Sequence, residues 1–299
     1  MNPVWFMKHR PSQWSDVVGQ DVIVAEMEKI ANGEAGMQHY LFFSEGAGTG
    51  KTSIANLLAE KMGYTLHIYN ASSKRTRGIE FIEEEIIPLS QSGVWETIIL
   101  LDEADRLTIQ AQDALKGVIE QATCYFILTC NDLNKVSPWL QSRCQVRTFN
   151  TIDTEKIIAR LSEIAGSEQV NISQKEIQHI AKAHEGDMRN AIGCLQAYHA
   201  LPESERDKFL RGLYDRDFEE KRFLRVSMTE KALTMSRELI GSMSLRPIIK
   251  QVFEFACSSG ASEATKMKVI EASIVSERDL LNGVDEEIVK WNYCRLLTS

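Results

Sequence analysis

Residues 46–53 read GAGTGKTS and follow directly on the apolar run HYLFFS. A strand, a glycine-rich turn and a helix opening on Lys-Thr constrain the fold more than any other feature of the chain. The arrangement works only when the strand lies in a sheet and the helix packs back onto that sheet. Glycines let successive backbone N–H groups turn inward on a triphosphate, a lysine reaches the β and γ oxygens, and a threonine offers its hydroxyl to Mg²⁺. Gly46, Gly48, Thr49, Gly50, Lys51, Thr52 and Ser53 are therefore the expected cradle. Glu45 stands where the first glycine of the pattern is expected. A carboxylate beside phosphates is unfavourable, so Glu45 is expected to point outward to solvent.

A cradle of this kind needs a second half, a strand ending in an acid that holds the metal. TIILLDEAD supplies it about fifty residues on, with Asp102 at the strand end and Glu103 after it. Asp102 suits a water-mediated contact to Mg²⁺, and Glu103 suits orienting and polarising an attacking water. Either motif alone is weak, because glycine turns and acidic turns are common. Together, at this spacing, they point to hydrolysis of a nucleoside triphosphate with Thr52 and Asp102 on the metal side.

The residues around these motifs alternate. Strands are expected at 41–44, 65–69, 97–101, 124–130 and 145–149, and helices at 52–62, 78–89 and 110–121. Strands that are apolar along their length and alternate with helices predict a parallel sheet covered on both faces, an α/β fold. After Asn150 the strand signals stop. TEKIIARLSEIA, SQKEIQHIAKAH and DMRNAIGCLQAY carry apolar residues at three- and four-residue spacing and predict amphipathic helices, with Thr151 or Asp153 capping the first and Asn171 or Ser173 preceding the second. From about Pro202 the chain stays helical without a nameable motif. A length of 299 residues suits two or three domains, and 43% hydrophobic with 25% charged residues is ordinary globular composition. No apolar run approaches the ~20 residues needed to cross a bilayer, and no secretory signal is visible, so a cytoplasmic or nucleoid/nuclear location is expected. Six scattered cysteines without C-x-x-C spacing predict reduced thiols rather than zinc. The net charge of −8 disfavours nucleic-acid binding by the chain as a whole, so any grip on a polyanion must come from a local basic cluster.

DEAD after the strand, FILTCND two dozen residues later, then QSRC and GDMRNAI, resemble the AAA+ ATPases and, within them, the ATPase subunits of sliding-clamp loaders, such as the small subunits of replication factor C and their counterpart in T-even-type phages. The opening MKHRPSQWSDVVGQDVIV is similar to that family's EKYRPxxxxDxVGQExxV, and YNASSKRTRGIEFI is similar to NASDxRGIxxI with two extra residues. The matched motifs spread over residues 5–195. The sequence departs from the pattern at Glu45 for glycine, at His9 for tyrosine, and at Gly117 where a second arginine is frequent.

The resemblance implies an AAA+ module over residues 1–150, a helical lid over 151–205 and an all-α collar over 206–299. It implies that Asn131 senses the γ-phosphate or the water, and that Arg143 is a finger reaching a neighbouring subunit's ATP. A permanently charged planar donor suits charge spread over phosphoryl oxygens. Arg189 would be the lid's own sensor, coupling the lid to the nucleotide. Phe6, Met7, Lys8, His9, Arg10 and Val18 resemble the segment that wraps the adenine. Taken alone, Lys74, Arg75 and Arg77 are a solvated turn, but the resemblance makes them, with Lys116, a DNA-phosphate contact at a helix start. The implied partners are other loader subunits in a five-membered ring, a sliding clamp and primer–template DNA, with no membrane. Two rivals remain. Another AAA+ DNA motor or remodeller would need a DNA-binding module beyond the lid, and a nucleotide-binding scaffold with weak hydrolysis would not need Lys51, Asp102 and Glu103 intact.

Overall fold

A computed structural model describes residues 4–184, 186–210, 213, 240, 245–258 and 262–298. The parts of the expected collar at 211–212, 214–239, 241–244 and 259–261 lie outside the described residues. The chain divides into two compact units, Met1–Arg206 and Asp207–Ser299.

Five parallel strands form the centre of the first unit: β1 (Tyr40–Phe43), β2 (Thr65–Asn70), β3 (Thr97–Asp102), β4 (Tyr125–Cys130) and β5 (Gln145–Thr148), in the order β2-β3-β4-β1-β5. The sequence placed each strand to within a residue at either end. Side chains alternate between the two faces, and both faces are apolar. Leu41, Ile99, Leu101, Phe126 and Leu128 pack into one core, and Tyr40, Phe42, Ile98, Leu100 and Ile127 into the other. Burying each such leucine or isoleucine contributes roughly 1.5–3 kcal/mol, enough to fix the register of the central strands.

Helices α1 (Trp5–Lys8), α2 (Asp21–Ala31) and α3 (Lys51–Met62) precede β2 in the chain. Helix α3 packs Ile54, Ala55, Leu57 and Leu58 on the second core and is bracketed by glycines with positive φ, Gly50 at +101° and Gly63 at +71°. The expected helix at 78–89 is a composite. It begins as α4 (Ile79–Phe81), widens into a π turn (Ile82–Ile86) and closes as α5 (Ile87–Ser90). Pro88 lacks an N–H and its ring crowds the preceding turn, and a π turn is a common way for a helix to absorb that defect. Helix α6 (Ile109–Gln121) is capped by Thr108, whose hydroxyl accepts the Ala111 N–H at 3.2 Å, and α7 (Pro138–Arg143) leads into β5.

Three further helices complete the unit: α8 (Thr154–Ser167), α9 (Gln174–Ala183) and α10 (Met188–Ala200). Of the candidate caps, Asp153 precedes α8, and Ser173 forms a capping box with Glu176 at α9. Leu161, Ile180, Ala191 and Leu195 are fully buried, and the Tyr198 hydroxyl donates to Glu176 at 2.8 Å. The N-terminal segment folds back onto these helices. The Trp5 N–H donates to Gln196 Oε1 at 2.9 Å, the Trp5 and His199 rings lie 5.3 Å apart, and Lys8 and His9 both pair with Glu168.

In the second unit α11 (Leu245–Ser258), α12 (Glu263–Leu281) and α13 (Glu286–Thr298) pack around Leu245, Val252, Ala272, Val289 and Tyr293. Ser262 caps α12, and the Leu245 N–H donates to Glu286 at 2.7 Å. Among the described residues no helix is long and apolar enough to cross a membrane, and all six cysteines are free.

Candidate active site

In an open parallel sheet the carboxyl ends of the strands form one edge, and ligands bind in the crevice beyond it. Three neighbouring strands converge there. After β1 comes the glycine loop, β3 ends at Asp102, and β4 ends one residue before Asn131. A cleft at this edge is lined by Gly48, Thr49, Gly50, Lys51, Thr52 and Ser53, by Asp102, Glu103 and Asn131, by Phe6, Met7, His9, Arg10 and Val18, and by Arg189 from the start of α10. Of the expected cleft residues, only Lys8 and Gly46 do not line it. Lys8 points its ammonium to Glu168 at 2.7 Å, while the Gly46 carbonyl accepts from Lys51 at 3.2 Å.

Lys51 is held from several sides. Its ammonium donates to Ser44 Oγ, to the Gly46 carbonyl and to Asn131 Oδ1 at 2.8 Å. Ser44 is itself braced by Thr49 Oγ1 at 3.0 Å. Burial pushes the Lys51 pKa below its ordinary value, and the nearby Asp102 and Asp105 carboxylates pull the other way while Arg189 adds to the depression. Phosphate oxygens brought beside this ammonium would favour its charged form, so charge and site reinforce each other on binding. Glu45 is exposed and does not line the cleft, as its chemistry requires.

Thr52 Oγ1 donates to Asp102 Oδ1 at 3.2 Å. A hydroxyl and a carboxylate side by side give an all-oxygen donor pair of the kind Mg²⁺ takes, with phosphates and waters completing the octahedron. Among the described residues no group of three or more His, Cys, Asp and Glu side chains could hold a metal. Glu103 follows Asp102 in a left-handed backbone conformation, φ 60° and ψ 45°, which turns the chain sharply out of the strand.

Several lining residues escaped the sequence reading. Thr129 comes from inside β4, Asp16 and Val17 from the N-terminal segment, and Ile152, Arg160 and Met188 from the helical part. Their only sequence signal is nearness to recognised motifs. Gln20 also acts here. Its buried amide donates to the Thr49 carbonyl at 3.3 Å and to the Asn150 carbonyl at 2.7 Å, while its oxygen accepts the Asn150 N–H at 3.1 Å.

Arg143 lies outside the cleft. It pairs with Glu120 and sits over the Trp139 ring, 5.7 Å from the centroid. Lys74, Arg75, Arg77 and Lys116 are exposed, and Arg75 pairs with Glu85 at 2.8 Å. The Thr108 N–H donates to the Arg77 carbonyl at 2.9 Å, which fastens the basic loop to the start of the helix that carries Lys116.

Residues 41–152, the sheet and its loops, match the family described as ATPase family associated with various cellular activities (AAA). Across nearly the whole chain the similarity is to replication factor C small subunits. That of Staphylothermus marinus is 33% identical over 302 residues, covering 95% of this chain and 91% of the relative. The chain belongs to the replication factor C small-subunit family of clamp-loader AAA+ ATPases. The replication factor C small subunits of Sulfurisphaera tokodaii (31% identical, covering 95% of this chain and 92% of the relative) and Methanococcus vannielii (29%, covering 96% of each) match over the same extent. As a member of this family the chain binds nucleotide and is an ATP hydrolase. Among solved structures, the Thermotoga maritima RuvB Holliday junction branch migration motor superposes with a TM-score of 0.60, covering 90% of this chain and 91% of that one. At 16% identity that likeness speaks for the shared AAA fold alone.

Proposed function

We propose that this chain is a clamp-loader subunit that opens a ring-shaped sliding clamp when it binds ATP, loads the clamp on primer–template DNA, and releases both on hydrolysis. The observation that carries the reading is the meeting of Lys51, Thr52, Asp102, Glu103 and Asn131 with Arg189 of α10 around one cleft. In this reading the loop amides and Lys51 bind the phosphates, Thr52 and Asp102 hold Mg²⁺, and Glu103 orients and polarises the water. Mg²⁺, when bound, neutralises charge on the phosphate oxygens. Asn131 marks the γ-phosphate, and Arg189 reports it to the lid, residues 151–205. Phe6, Met7, His9, Arg10 and Val18 wrap the base.

Arg143 serves a neighbour's site, so full activity belongs to an assembly of loader subunits, which we take to be a five-membered ring joined through the collar, residues 206–299. Lys74, Arg75, Arg77 and Lys116 hold DNA phosphates. An acidic chain can do this when several copies align their basic loops along one backbone, since each phosphate contact adds to a shared electrostatic term.

The experiment is a phosphate-release assay on the chain assembled with its partner subunits, with clamp and primer–template DNA added separately and together. Hydrolysis stimulated by both, with clamp recovered on circular DNA, is the expected result. Hydrolysis indifferent to clamp and DNA would remove the loader reading and leave an ATPase of another task.

A further inference from the structure

Thr129 is the fifth of six residues in β4 and is 1% exposed, yet it lines the cleft. The β3–β4 register pairs Leu101 with Leu128, so the next step along both strands sets Thr129 beside Asp102. A threonine hydroxyl has one proton to give and lone pairs to receive. Here both capacities are spent on the same acidic pair. Thr129 Oγ1 donates to Asp102 Oδ1 and accepts the Glu103 N–H at 3.0 Å. Asp102 Oδ1 thus receives two hydroxyls, that of Thr129 and that of Thr52.

The Glu103 backbone makes this second bond consequential. Glu103 and Gln169 are the non-glycine residues with positive φ among the described residues. Side-chain-bearing residues resist this conformation, and it persists only where the surroundings enforce it. The Glu103 N–H bond to Thr129 and the 3₁₀ turn that follows, with the Arg106 N–H donating to the Glu103 carbonyl at 2.9 Å, grip the residue from both sides.

We propose that Thr129 is a positioning residue for hydrolysis: a single hydroxyl that sets the rotamer of Asp102 and the backbone turn at Glu103 together. In this role it acts through the two acids, Asp102 and Glu103. The inference rests on the roles given above to Asp102 and Glu103. Valine has the shape of threonine without the hydroxyl, so Thr129→Val deletes both bonds with little change of volume and leaves the Glu103 N–H unsatisfied. Thr129→Ser keeps both bonds.

The test uses the full chain, alone and in its assembled complex, with three readouts: affinity for fluorescent ATP, the Mg²⁺ concentration that half-saturates the nucleotide-dependent signal, and the turnover rate. Thr129→Val is expected to bind ATP within about threefold of the parent and to lose on the order of 10–100-fold in turnover, the scale of a small misplacement of reacting groups. It should also need several-fold more Mg²⁺, and Thr129→Ser should recover most of both losses. Parent-like turnover in Thr129→Val overturns the proposal. So does a parallel loss of ATP affinity and turnover that Thr129→Ser shares, which would mark a structural role in the strand. Glu103→Gln measured alongside separates the two levels. Parent-like turnover there removes the role of Glu103 itself, and the proposal with it.

Discussion

Asp187 lies directly over Gly48: a Cβ built on that glycine would stand 1.9 Å from Asp187 Oδ1. The contact joins the cap of α10 to the middle of the glycine loop, because Asp187 also accepts the Asn190 N–H at 3.0 Å. Gly48→Ala must therefore displace a helix cap as well as hold a left-handed φ of +69°, a strain of roughly 1–2 kcal/mol. The expected outcome is at least a tenfold loss of ATP affinity with a melting temperature lowered by a few degrees, measured by nucleotide titration and thermal unfolding. Parent-like affinity would mean that Asp187 swings clear without consequence.

Binding and hydrolysis should separate within the cleft. Lys51→Ala is expected to remove most ATP binding, because in the proposed reading Lys51 contacts phosphate in the ground state. Glu103→Gln should keep ATP bound and slow hydrolysis about 100-fold or more, because in the proposed reading Glu103 acts on the water. Glu45→Gly should be tolerated, in keeping with the exposure of Glu45. Equilibrium binding of a fluorescent nucleotide and single-turnover phosphate release read the two steps apart.

Arg143 pairs with Glu120 outside the cleft, and the proposed reading assigns it to a neighbour's site. Arg143→Ala should leave nucleotide binding by the isolated chain intact and depress turnover only in the assembly. Mixing Arg143→Ala chains with Lys51→Ala chains should recover part of the activity, since some junctions then carry both groups. A fast isolated chain, together with an unaffected Arg143→Ala complex, would exclude action in trans.

DNA contact is the most exposed expectation for a chain of net charge −8. Arg77→Ala, and more so with Lys116→Ala, should weaken primer–template binding by the ATP-bound complex regardless of sequence. Each lost phosphate contact should flatten the plot of log affinity against log salt by roughly 0.9 on duplex. Hydrolysis without DNA should hold while its stimulation by DNA falls. An unchanged slope with normal stimulation would return the loop to plain solvated surface.

A fifth expectation concerns acid stability. Arg147 of β5 grips Glu26 of α2 through two nitrogens, at 2.6 and 2.7 Å, and the Tyr40 hydroxyl adds a bond at 3.1 Å. The Arg147 bond holds the Glu26 carboxyl below its ordinary 4.5, although burial opposes it. A depressed carboxylate contributes stability above its unfolded pKa, and that contribution fades as pH falls through the lower folded value. Glu26→Gln should cost about 1 kcal/mol at neutral pH, for a bidentate pair whose side chains are 31% and 29% exposed, and shrink the loss of stability below pH 4.5. Denaturant titrations at several pH values measure both.

The strands were readable because buried parallel strands are apolar along their length, and the cradle because its glycines and Lys-Thr are adjacent in sequence. Asp102 and Glu103 were readable for the same local reason. Thr129 was not, because a threonine inside FILTCN looks like any β-branched strand residue until the register sets it beside Asp102. Arg160 was hidden by distance along the chain, since it reaches the cleft only once the N-terminal segment has folded onto α8 and α10. Asp16 lay within the matched opening segment with nothing local to mark it as a lining residue. The π turn at Ile82–Ile86 was hidden because Pro88 announces a helix defect without saying how the turn before it will absorb it.

Gln20 joins the glycine loop to the chain at Asn150 through one buried side chain. Its single amide spans the Thr49 carbonyl, in the loop, and both backbone groups of Asn150, the last residue before the helical segment. A shift of the loop is therefore transmitted toward Asn150 through these bonds. In the proposed reading the segment after Asn150 has two links to a nucleotide, one through Arg189, which lines the cleft, and one through Gln20. In that reading a ligand that fills the loop without touching Arg189 still pulls on Asn150 through Gln20.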